Sequence, residues 1–210
     1  MPNVKIHERV GNYIGKKIGK NSYDYYLGLL APDSPNVDGF APKEERWMAH
    51  QRRKDYDEWR EEITKFYDME KKYYPEDFLL GYYIHVITDI VYDDFFYIPI
   101  RDEIVKEIPL EKSHEAMRKD MDNYYDTDLD TIKEILKSNN ESYDILNISK
   151  KELLRWKDKE INSWKNTDKC KYLTEEILKE LDEKVYDEIS KKLERWVLIS
   201  LFVEKNNKIC

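Results

Sequence analysis

Between Phe78 and Phe96 the chain reads FLLGYYIHVITDIVYDDFF. Leu80, Ile84, Ile87 and Val91 occupy helix faces other than the one carrying Gly81, His85 and Asp89. A helix apolar nearly all round has to be buried on every side, so the rest of the chain must wrap it. His85 and Asp89 stand four residues apart, one turn along a single face. A buried carboxylate needs a cation or several hydrogen bonds. Gly81, a turn before His85, leaves room for a metal ion or for another helix. The spacing fits two ligands on one metal, and it fits a neutral histidine bonded to an aspartate in the core.

The remaining segments read as helices that do the wrapping. Apolar residues at 4, 6, 10, 14 and 18 follow a helical period, and a short second helix covers Tyr23–Leu30. APDSPNVDG, with Pro32, Pro35 and Gly39, reads as a loop containing Asp33. Lys43 to about Tyr74 reads as one long or broken charged helix that carries His50 and ends at Pro75. The opening run extends over 76–96 and is limited by Pro99. Shorter helices are expected near 100–106, 113–124 and 127–137. SKKE, from Ser149, is a capping box for a helix to Trp164. Thr174–Glu204 has Leu, Ile and Val at 177, 178, 181, 185, 189, 193 and 197. No strand alternation and no internal repeat occurs. The pattern predicts an all-α, single-domain bundle of seven to nine helices over 1–210. Residues 1–125 hold all four histidines, and 126–210 read as supporting helices.

The formal net charge of −8 disfavours nucleic-acid binding, which needs clustered Lys and Arg. Seventeen Tyr and five Trp point to an aromatic core. Cys170 and Cys210 make no disulfide framework, and the N-terminal stretch lacks a signal-peptide pattern, so a cytoplasmic, reducing setting is expected. No stretch of 18 residues is apolar without a charge, so no membrane span is expected. The oligomeric state stays open.

Four pieces, IHERVGNYIGKKI, YYLGLLAPDSPN, WMAHQRRKD and FLLGYYIHVITDIVYD, occur in an order that resembles the zinc-dependent phospholipase C family, which is related to the fungal single-strand-specific zinc nucleases. The resemblance covers roughly residues 3–96. It implies an all-α fold around zinc. It implies that Asp33, His50, His85 and Asp89 form the main site, with Asp89 bridging to a second ion served by His7. Of the family's later histidines only His114 has a counterpart here, and the position four beyond it is Arg118, so two ions are expected. His114, Asp93, Asp94 and Asp120 are reserve ligands. The implied function is zinc-dependent hydrolysis of phosphate esters, a phospholipase C-like phosphodiesterase acting on a phospholipid or a soluble phosphodiester. Asp33 is the candidate to take a proton from the attacking water.

Two other readings compete. A non-catalytic helical protein could retain the metal site for structure or as a vestige. An HD-domain phosphohydrolase needs an adjacent His-Asp pair, which none of the four histidines has. Arg52, Arg53 and Arg101 could meet phosphate charge, although arginines on helix surfaces are usually solvated.

Overall fold

The computed structural model of the chain describes residues 2–164 and 170–207, with side chains described through Leu193. Cys210 and the side chain of Val197 therefore lie outside the described part. Among the described residues ten α-helices follow one another: α1 (Val4–Ile18), α2 (Tyr23–Leu30), α3 (Lys43–Ala49), α4 (Tyr56–Glu70), α5 (Glu76–Val91), α6 (Tyr97–Ile104), α7 (Leu110–Asp122), α8 (Asp128–Lys137), α9 (Lys150–Ser163) and α10 (Glu175–Asn207). Among the described residues there is no strand, only an isolated bridge between Ile145 and Ile148. The class is all-α, with more helices than the periodicity suggests.

α5 is the hub. Every residue from Phe78 to Val91 is buried. α2 crosses it backbone to backbone. A β-carbon on Gly81 would lie 2.1 Å from the Tyr25 carbonyl oxygen, and one on Gly28 would lie 2.0 Å from that of Phe78. Gly81 therefore admits a helix, not a metal. The surrounding apolar residues form one buried cluster that runs from Val4 to Ile189.

Three local departures from the periodic reading have a common cause in proline and capping. The expected loop at 31–38 is a 3-10 helix continuing from α2. Pro35 has no N–H to offer the Ala31 carbonyl, so α-helical bonding stops there, and the Ser34 hydroxyl donates to that carbonyl instead, at 2.7 Å. The charged stretch after Lys43 breaks into α3 and α4. His50 caps α3, Gln51 takes a left-handed φ of 49°, and Asp55 starts α4 by accepting from the amides of Asp57 and Glu58. The opening helix passes at Tyr92–Phe96 into a π-helical turn. That turn re-phases the ladder so that Pro99 falls within the first turn of α6, where its missing N–H is tolerated.

The capping box at Ser149 and Glu152 forms as the sequence indicates. No helix among the described residues is long and apolar enough to cross a membrane.

Candidate metal centre

Five of the six residues expected as ligands meet inside the bundle. α5 presents His85 and Asp89, α1 presents His7, the 3-10 segment presents Asp33, and His50 comes from the C-terminal end of α3. His7, His50, His85 and Asp89 are buried, and the Asp33 side chain alone keeps appreciable exposure, at 14%.

Backbone carbonyls fix the two central imidazoles. His85 Nδ1 lies 2.6 Å from the Leu29 carbonyl oxygen, and His50 Nδ1 lies 2.8 Å from that of Arg46. A carbonyl only accepts, so each Nδ1 donates and each Nε2 turns its remaining position inward. The two Nε2 atoms are 3.3 Å apart. Two lone pairs facing each other at that distance repel unless a proton or a metal ion lies between them. The backbone around His50 is itself held. Trp59 Nε1 donates to the His50 carbonyl at 2.8 Å, and the Tyr82 hydroxyl donates to that of Ala49.

Asp89 faces two ways. Its Oδ2 lies 3.3 Å from His50 Nε2 and 3.7 Å from His85 Nε2, while Oδ1 lies 3.4 Å from His7 Nε2. His50 Nε2 is also 3.5 Å from Asp33 Oδ1. The His7 ring stacks on His85 with centroids 3.6 Å apart and planes 9° from parallel. These contacts are loose for hydrogen bonds. Both oxygens of Asp89 and both ring nitrogens of His7 remain without a hydrogen-bond partner, although all are buried. Leaving so many buried polar atoms unsatisfied is expensive.

A metal ion would relieve this arrangement. With metal–ligand bonds of about 2.0–2.1 Å, a tetrahedral zinc holds its ligand atoms ~3.3 Å apart, which is close to the spacing within this cluster. Two overlapping groups have the required proximity: Asp33, His50 and His85 in one, His7, His85 and Asp89 in the other. The chemistry of the donors, imidazole and carboxylate, suits zinc. Nδ1–H bonds to backbone carbonyls are of the kind that orient histidines at metal sites.

The charge distribution of the metal-free cluster is uneven. Burial and then the neighbouring His7 push the His85 pKa down to about 3. Burial also opposes charge on His50, but Asp33 and Asp89 outweigh it and raise its pKa. Burial would raise both carboxyls, yet the surrounding histidines hold Asp33 below its ordinary value and Asp89 far below.

The other residues singled out by the sequence lie outside the cluster. His114 is exposed on α7 and belongs to neither group of potential ligands, although it lines the cavity that Asp33 borders. Asp93 pairs with Arg52 and Asp94 with Arg60. Asp120 accepts from the amides of Lys171, Tyr172 and Leu173, so it fixes the approach to α10. Arg53 pairs with Glu62, and Arg101 with Asp102.

A cavity of about 470 Å³ adjoins the cluster through Asp33. Lys5, Phe40, Arg46, Arg118, Trp156 and Glu160 are among the residues that line it. Burial, followed by the nearby Asp33, raises the Glu160 pKa to about 7. None of these six stands out in the sequence. One usable signal was that Arg46 lies a helical turn before His50.

No protein-family model, curated protein or solved structure matches the chain.

Proposed function

We propose that the chain is a metal-dependent hydrolase of phosphate esters, with zinc as its metal and a site of the phospholipase C and zinc nuclease kind. The observation that carries this reading is the set of buried, hydrogen-bond-deficient atoms of His7 and Asp89 beside the opposed Nε2 atoms of His50 and His85. A proton network leaves these groups short of partners, and a pair of cations does not.

His50 and His85 would hold the metal together with Asp33 and Asp89, and His7 would hold a second ion through the other face of Asp89. Bound there, zinc supplies a Lewis acid that lowers the pKa of water and draws charge from a phosphoryl oxygen. The protein's own part is positional. Asp33 is the member of the cluster that borders the cavity, and it is ionised at neutral pH, so it can orient a water molecule there and accept its proton. The apolar wall of α5 excludes bulk water from the far side of the cluster.

Metal analysis of the purified chain, then hydrolysis assays on a phosphomonoester, a phosphodiester and phosphatidylcholine with and without chelator, tests the proposal. Stoichiometric zinc and chelator-sensitive turnover are expected. Absence of zinc, with activity and folding indifferent to substitution of His85, rejects it.

The near-complete burial of four of the five side chains favours one second reading, a purely structural metal. Under that reading, zinc is retained and its removal lowers the melting temperature, but no phosphate ester is turned over.

A further inference from the structure

The cavity beside Asp33 has an uncommon cationic feature. Arg46 reaches it from α3 and Arg118 from α7. Both guanidinium groups converge on the ring of Phe40, at 5.2 and 5.9 Å from its centroid. Phe40 itself is 69% exposed. The arginines Arg9, Arg52, Arg53, Arg60, Arg101 and Arg155 each pair with a carboxylate. Arg46 and Arg118 have no carboxylate within 4.0 Å among the described residues; Arg46 donates only to the Ala41 carbonyl. Two guanidiniums without a carboxylate partner in one cavity lining favour an anion within their reach. Lys5 adds a third cation to the lining, donating to the Asp122 carbonyl at 2.7 Å. The acids that also line the cavity are Asp33, Asp122 and Glu160. Asp33 belongs to the metal centre, and Asp122 accepts from the Asn3 amide.

We propose that this cavity selects phosphate esters that carry a second anionic group, a carboxylate or another phosphate, held by Arg46 and Arg118 while the scissile phosphate lies at the Asp33 end. The proposal rests on the reading of the metal centre as a phosphate-ester site. Guanidinium forks match carboxylate and phosphate in shape as well as charge. A quaternary ammonium headgroup is disfavoured at Phe40, because the two guanidiniums beside that ring repel a cation.

The test uses the zinc-loaded full chain and three phosphates that differ in the remote group: phosphoglycolate (anionic), ethyl phosphate (neutral) and phosphocholine (cationic). Binding is measured calorimetrically, and zinc content is checked before and after. Phosphoglycolate is expected to bind about tenfold more tightly than either of the others, as one charge-assisted contact would give. The Arg46→Ala/Arg118→Ala double variant should abolish that preference and leave ethyl phosphate affinity within about twofold. Phosphocholine binding as tightly as phosphoglycolate overturns the proposal, and so does a preference that survives the double substitution. If phosphoglycolate binds in an arginine-dependent manner and ethyl phosphate does not bind, the cationic subsite stands and the phosphate reading of the metal centre falls. If no probe binds, both fall. Vesicles of phosphatidylcholine with or without phosphatidic acid separate the sources of the anion. Arginine-dependent sedimentation with the acidic vesicles assigns a lipid headgroup. Its absence, with the phosphoglycolate preference intact, assigns a soluble ester.

Discussion

Asp89 turns one carboxylate oxygen towards His50 and His85 and the other towards His7. Replacing it with asparagine keeps the shape and removes the charge that both ions would share. Asp89→Asn is expected to weaken zinc binding by at least ~100-fold, beyond the loss usual for an outer contact, in competition with a chromophoric chelator. Unchanged affinity would remove Asp89 from the centre. The histidines make a separate prediction for the metal-free protein. The folded pKa of His85 lies at about 3, against ~6.5 in an unfolded chain. Between those values the unfolded chain takes up a proton that the folded chain refuses, so stability falls as pH drops below ~6.5. His50 has the opposite sign. Its pKa is raised, so its contribution is complete below ~6.5 and is lost only as pH rises through the folded value. Asp33 and Asp89, both depressed, stabilise above ~4 and cease to do so as pH falls through their folded values. Glu8, Glu160 and Asp182, all raised by burial, act with the opposite sign over the same range, so the His85 contribution is read as a difference between variants. The urea midpoint of the chelated protein relative to that of chelated His85→Gln should fall as pH drops from ~6.5 to ~4. A difference independent of pH over that range would show that His85 does not resist protonation in the folded chain.

The helical elements differ in how far sequence reveals them. The all-round apolar character of α5, the Ser149 capping box and the period of α10 are properties of consecutive residues, and they can be read without a partner. The role of Gly81 cannot. In sequence it is an open position beside His85, and only the crossing of α2 decides that a backbone fills it. The same holds for the cavity, whose lining comes from α1, the segment after α2, α3, α6, α7 and α9, parts of the chain that only the fold brings together. The five clustered candidates were legible because each has a local setting: His7 a turn before Gly11, Asp33 between prolines, His50 before arginines, His85 and Asp89 one turn apart. His114 has a similar appearance but sits on an exposed face, and burial is not encoded in its neighbours alone. Gly81→Ala tests the crossing. Its β-carbon meets the Tyr25 carbonyl and cannot be accommodated by a side-chain rotation. A loss of about 1–3 kcal/mol is expected from the denaturant midpoint. Zinc affinity should fall with it, because separating α2 from α5 stretches the Leu29 carbonyl bond that fixes His85. Gly19→Ala is the control. Gly19 has a φ of 72° but nothing within 4 Å, so it should lose about 1 kcal/mol and leave zinc affinity intact. Equal zinc affinity in both variants would dissociate the crossing from the centre.

At the scale of the molecule, the C-terminal half does more than cover the core. α1, which carries His7, is tied to α10 by Arg9. Its guanidinium donates to Glu175 at 2.8 and 3.1 Å and to Asp182 at 3.1 Å, and also reaches the Tyr124 hydroxyl at 3.2 Å. Arg9 lies two residues beyond His7, so the link fixes the turn from which that imidazole projects. The other cluster residues depend on different supports: His50 on Arg46 and Trp59, His85 on Leu29. This division predicts an ordered loss. Arg9→Met keeps the bulk of the side chain, removes the ionic tie and leaves Asp182 unpaired at a buried position, so stability should drop by about 3 kcal/mol. Zinc bound through His7 should weaken first, while the ion held by Asp33, His50 and His85 stays. In a zinc titration followed by thermal melting, the variant should retain the tighter stoichiometric phase and lose the weaker one. Loss of both phases together would make the centre a single cooperative unit. Retention of both with only the stability loss would show that α10 supports α1 without tuning it.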